Sequence, residues 1–301
     1  MSLFGILAAF GGGLFAAVIG PLPSFIMTGV FAIAGSVAGM CGAADACNIL
    51  INYFAFGCFF GPHISFLGGT VASGYAHKIG LCPSGQDITI ANVKYNRPDV
   101  LLVGGVTGVC GYLFKELVWA NLFAGTISAR LVTDGPSFTI LVLSIAARLI
   151  LGGPMRTSDR IMSKGKELAT GICVGISYSL LVSGLYVAAI YAGVPEEAFG
   201  GVYNLLVFGI AAVGLIFLQA GQAYYACQHI VIVAATATMK CYSATGSLTG
   251  ALLLGVLFGL CTMLIGDIEA NMINCGDCNH IDNAATSIFI MMFVINAIFP
   301  G

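Results

Sequence analysis

The chain has 301 residues, of which 58% are hydrophobic and 8% charged, with a formal net charge of −2. An ordinary soluble domain carries about 25% charged residues, so a water-exposed globular domain is excluded and most of the chain is expected against lipid or other apolar helices. No arginine-rich segment is present and the pI is near 6.0, so nucleic acid is excluded as a partner.

The expected fold class is all-α, a polytopic integral membrane protein. A spanning helix needs about 20 predominantly apolar residues. Charged or Gly/Pro-marked breaks then divide the chain into ten candidate segments at 3–20, 22–40, 48–76, 99–123, 135–152, 168–193, 200–217, 218–240, 244–265 and 284–299. The first opens at Met1-Ser2-Leu3 with no Lys or Arg before Lys78, unlike a cleavable signal peptide, and is read as a membrane helix. Segment 48–76 is long for one span and holds Gly61-Pro62, while 200–240 has no charged residue before Lys240; both are expected to contain broken or re-entrant helices. Forty-one glycines, as in Gly11-Gly12-Gly13 and Gly104-Gly105, predict close helix packing. The eleven cysteines sit mostly in apolar runs, where they act as small hydrophobes.

Lys78, Lys94 and Arg97 form one basic cluster and Arg148, Arg156, Arg160, Lys164 and Lys166 a second. The positive-inside rule places both on the cytoplasmic face. Counting segments outward puts both termini outside, Lys240 outside and the acidic loop Asp267 to Asp282 inside.

An internal repeat is the most informative feature. His63-Ile64 through Gly68-Gly69-Thr70 aligns with His229-Ile230 through Ala234-Ala235-Thr236. Gly104, Gly108, Cys110 and Leu113 align in the same order with Gly255, Gly259, Cys261 and Leu264, most of residues 78–98 having no counterpart. Two five-segment halves, residues 1–155 and 156–301, must be oppositely oriented, because an odd number of crossings inverts the second copy. An inverted repeat places a solute site near the midplane. This plan resembles that of urea and ammonium channels and of amino-acid symporters, but their signature motifs are absent and no residue roles carry over.

Polar residues then mark a candidate path. At 100° per residue, Gln219, Gln222, Tyr225, His229, Thr236 and Lys240 fall within about 60° of Gln222. In the first half Asn52, Thr70 and His77 fall within about 40° of His63, provided Pro62 does not rotate the two parts. Unpaired polar groups facing hydrocarbon cost several kcal/mol, so the stripes are expected to face each other or water. The candidate pore-lining residues are His63, Thr70, Asn52, Gln222, Tyr225, His229 and Thr236. The plainer alternative is that these groups are interhelical hydrogen-bond glue.

Asp45, the Lys115-Glu116 pair with Trp119 and Asn121, and Arg130 with Asp134 read as anchors near helix ends. Cys275 and Cys278 with His280 have metal-like spacing, but a structural zinc site takes four protein ligands and only Asp277 or Asp282 is at hand. A disulfide or a plain loop is preferred, and no metal is assigned. Phosphate-binding loops, His-Glu-x-x-His and nucleophile elbows are absent from the sequence.

The sequence therefore predicts a channel or secondary transporter for a small polar solute or ion, not an enzyme, with no cofactor. Its partners are the lipid bilayer and that solute, and its Gly-rich surfaces suit a homo-oligomer. A prokaryotic plasma membrane is the expected location. Two competing classes are a membrane redox subunit, with haem held between His63 and His229, and a structural or assembly subunit.

Overall fold

A computed structural model describes residues 2–123, 132–156, 158–274 and 276–300, so Arg130 and Cys275 lie outside the described residues. Every regular element among them is a helix.

Helix α1 (Leu3–Ile19) is started by Ser2, whose hydroxyl accepts from Gly5 N. Gly20 alone, at φ +104°, turns the chain into α2 (Pro21–Met40), whose first residue is proline. Helix α3 (Ala44–Asn48) widens into π-helical turns over Ile49–Ala55. Regular structure then stops over residues 56–64 and resumes as α4 (Ser65–Lys78). The expected break at Gly61-Pro62 is present, and it begins earlier, at Phe56.

Helix α5 (Pro98–Phe114) continues through wide turns at Lys115–Trp119 into α6 (Ala120–Leu122). Helix α7 (Gly135–Leu151) follows, then α8 (Lys166–Tyr191), α9 (Tyr203–Gly214) and α10 (Ile216–Gln219). Segment 218–240 is not one helix. Gly221 adopts φ +75°, its N–H and that of Gln222 close back on Leu218 O and Phe217 O, and helix returns only as α11 (Gln228–Thr245). Helices α12 (Leu248–Met272) and α13 (Asn283–Ile298) complete the chain.

Five stretches are long and apolar enough to cross a membrane: Pro21–Met40, Pro98–Leu122, Lys166–Tyr191, Glu196–Gln219 and Leu248–Met272. Helices α1, α7 and α13 are shorter and equally apolar in kind. Large apolar side chains such as Leu7, Leu102, Val106, Leu181, Leu185 and Leu253 point outward. Exposed apolar side chains of this size and number suit contact with lipid.

Helices α1, α4 and α5 pack together, as do α8, α11 and α12. Helix α2 packs on α9, and α7 on α13. Glycine makes the first trio possible: a Cβ at Gly68 would lie 2.8 Å from Gly13 Cα, and one at Gly104 would lie 2.7 Å from Ala17 Cβ. In the second trio, Gly255 faces Thr238, Ser183 and Ala234, and Gly259 faces Ser179 and Ala234.

The basic clusters flank one end of the helices. Lys78 Nζ donates to Ile150 O at the end of α7 (3.0 Å). Wholly buried Arg148 donates through Nε to Asn279 Oδ1 (2.7 Å), through Nη1 to Pro154 O (3.1 Å) and Ile273 O (3.3 Å), and through Nη2 to Asn279 O. Asn279 in turn donates to Ser144 O (3.1 Å), so the segment before α13 lies along α7.

Candidate functional site

The two helix breaks place His63 and His229 at the starts of α4 and α11. His63 follows Pro62 in the first break, and its carbonyl presses on Gly111 of α5, where a Cβ would collide with it. Both imidazoles are buried, at 1% and 4% exposure, and Nδ1 of each makes no hydrogen bond.

His63 lines an open vestibule of about 560 Å³ together with Asn48, Asn52, Tyr112, Lys115 and Glu116. The wide turns after α5 carry Lys115 to this wall, where its ammonium sits 3.4 Å from Glu116 and 5.8 Å from the Trp119 ring centre. Asn52 is exposed and donates to Asn48 Oδ1 (2.8 Å). It reaches the vestibule although the intervening break invalidates the helical phase that singled it out.

Asp134 and Asp282 share a small cavity of about 30 Å³ with Pro62, Ser137 and Gln228. Each aspartate caps a helix: Asp134 Oδ1 accepts from Ser137 N at the start of α7 (2.8 Å), and Asp282 Oδ2 accepts from Ala285 N at the start of α13 (2.9 Å). Gln228 is 6% exposed, and its buried Oε1 has no hydrogen-bond partner. Gln228 and Asp282 also border a third cavity of about 70 Å³, where His229, His280 and Asn283 join them. His280 Nε2 lies 3.3 Å from Asp282 Oδ1, and its Nδ1 lies 3.2 Å from Asn274 Nδ2.

The remaining sequence candidates fall elsewhere. Thr70 Oγ1 donates to Leu67 O (2.9 Å), and Thr236 Oγ1 donates to Ile232 O (2.7 Å) and accepts from Asn204 Nδ2 (3.0 Å). Neither borders the three cavities, and their hydroxyls are satisfied within the helix packing. Gln222 and Tyr225 lie in the non-helical stretch and are exposed. The stripe projected through them assumed one continuous helix, which Gly221 ends. His63 and His229 border different cavities, whereas a haem held axially between them would need a shared one.

Sequence reasoning read Asp134 as a helix-end anchor and Asp282 only as a possible partner of the Cys275/Cys278 loop, and did not single out Gln228. A signal was there: Asp134-Gly-Pro-Ser-Phe-Thr-Ile aligns with Asp282-Asn-Ala-Ala-Thr-Ser-Ile, a helix N-cap followed at equal spacing by a hydroxyl and an isoleucine. Among the described residues, no group of three or more His, Cys, Asp or Glu side chains is arranged to hold a metal ion.

No curated protein and no solved structure matches the chain. A family of unknown function, DUF7973, matches residues 1–162 and 180–299, and the chain belongs to that family.

Proposed function

We propose that the protein is an integral membrane channel or secondary transporter, built as two inverted repeats, that passes a small polar solute or ion through the cavities at their junction. The packing supports the repeat. Exchanging α1, α4, α5 and α7 for α8, α11, α12 and α13 maps each observed packing trio onto the other, and the α2–α9 and α7–α13 pairs onto themselves.

The register agrees too. Gly104 rests on Gly13, Ala17 and Gly68, while Gly255 rests on Ser183 and Ala234. Gly68 and Ala234 are partners in the His-centred alignment, as Gly104 and Gly255 are in the second one. Asp134 and Asp282 occupy equivalent caps, and Pro62 and Gln228 equivalent positions one residue before each histidine.

The observation that carries the transport reading is the sequence of cavities. His63 borders the vestibule, Pro62 beside it borders the small cavity, and Gln228 and Asp282 line both that cavity and the one bordered by His229. Irregular backbone and buried polar groups inside a membrane protein are tolerated where they line a cavity. The narrow centre fits a gated path rather than an open pore.

Light-scattering or tracer flux in proteoliposomes, over a panel of small neutral solutes and ions, tests this. Flux lowered several-fold by His63→Ala with His229→Ala, in protein that still folds, is the expected result. No flux for any solute in the panel would sink the reading.

A further inference from the structure

The two halves differ most where α4 meets α5. Residues 79–97 make that link, whereas Gly246-Ser247 alone joins α11 to α12. The histidine cavities differ as well. His63 borders an open vestibule of about 560 Å³, while His229, its partner in the alignment, borders a cavity of about 70 Å³. Ile88, from the long link, lies in the wall of the His229 cavity with Leu22, Leu215 and Leu218. Neither Gly246 nor Ser247 borders the vestibule. Lys78 and Arg97 flank the long link, which therefore lies at the basic end of the helices.

The link is fixed near both ends and lightly held in its middle. His77 Nδ1 pairs with Cys82 O (3.0 Å), and wholly buried Asn92 donates to Ser73 Oγ (3.1 Å) and Gly69 O (3.4 Å). Between these anchors, Asp87 Oδ1 accepts from Thr89 N (2.9 Å) and Thr89 Oγ1 (2.6 Å), which stiffens residues 87–89 into a turn. Leu22 N donates to Ile88 O (2.9 Å) and Gln219 Nε2 to Thr89 O (3.0 Å), so the turn bridges α2 and α10. Gly85 N adds a bond to Asp277 O (2.7 Å). Gln86 Nε2 and Gln219 Oε1 are buried and make no hydrogen bond. The closed position thus leaves a donor and an acceptor unmade, which water would satisfy once the turn lifts.

We propose that residues 84–91 are a lid over the His229 cavity, and that the cavity opens toward the basic end when the Asp87–Thr89 turn lifts off Leu22 and Gln219. Its use rests on the transport reading: the solute path is open at the His63 end while the lid is down, and lifting the lid gives access from the other end.

Leu22 lies in the first turn of α2, where a backbone N–H has no acceptor in its own helix, so Ile88 O is what protects it from exchange. Deuterium exchange of the full chain in nanodiscs, read by mass spectrometry, compares Leu22 with Val71 and Ala72 inside α4. Local opening of the lid makes Leu22 exchange at least about tenfold faster than these two, and faster still in Gln219→Ala, which loses the bond to Thr89 O. Exchange at Leu22 as slow as in α4, in both proteins, would make the link a fixed part of the core and overturn the proposal.

Labelling of the histidines by diethyl pyrocarbonate, followed by peptide mass, reads access to the cavity itself. Gln219→Ala and Ile88→Ala should each raise the rate at His229 several-fold and leave that at His63 unchanged. An unchanged rate at His229, or equal acceleration of both histidines, overturns the lid. Lid opening without flux of any solute would keep the lid and remove the transport reading; flux with Leu22 and His229 both protected in every variant would do the reverse.

Discussion

Arg148 is wholly buried and donates to Asn279, Pro154 and Ile273. Hydrogen bonds from a charged group contribute about 1.5–3 kcal/mol each. Arg148→Leu removes four such bonds and leaves their acceptors unpaired, so it is expected to cost at least about 3 kcal/mol, read as a lowered unfolding midpoint, with Asn279→Ala costing less because backbone acceptors remain. At the caps, Asp134→Ala should cost about 0.5–2 kcal/mol where Asp134→Asn costs little. The histidines were legible because an ionisable residue in an apolar run stands out. Asp134 and Asp282 were noticed only as a helix-end anchor and a loop residue, and Gln228 not at all, because each precedes or opens a helix and so falls outside the periodicity that reveals a helix face.

Most helix boundaries in the first and last thirds of the chain were legible, since those apolar runs end where charge, Gly or Pro intervenes, but α11 and α12 run five and seven residues past their expected ends. What the pattern hid was the interior of two long runs. Residues 56–60 are apolar and aromatic, yet they fold as turns ahead of Pro62, and residues 222–227 follow a glycine whose positive φ has no signature beyond its identity. Close packing between elements tests this arrangement. Gly111→Ala drives a methyl group into the His63 carbonyl, and overpacking of this kind costs about 1–3 kcal/mol. The α4–α5 contact should loosen, lowering the midpoint and altering any flux that depends on His63. Gly11→Ala, where a Cβ meets nothing within 4 Å, is the matched control.

On the scale of the whole molecule, the all-helical, apolar architecture was legible from composition, whereas the proposed repeat rests on two short alignments in one order and on a packing that has the same order. The third alignment, around the aspartates, was too degenerate to read without the caps in view. Lys78 on the end of α7 and Arg148 on residues 154 and 279 bring both basic clusters to one end of the helices. Trypsin supplied to one face of sealed vesicles should therefore cut at Lys94 or Arg97 and at Arg156, Arg160 or Lys164 together. Cleavage of the two clusters from opposite faces would contradict the packing.

The order in which the chain is made gives Arg148 a second significance. Three of its acceptors, one on Ile273 and two on Asn279, lie 125 and 131 residues downstream. When α7 first leaves the ribosome its guanidinium has only Pro154 from this set already made, and the charge stays hydrated at the helix end because burying it early in an apolar interior is costly. The end of α7 would then wait at the membrane surface until residues 273–279 are synthesised, so assembly of the first half is completed by the last.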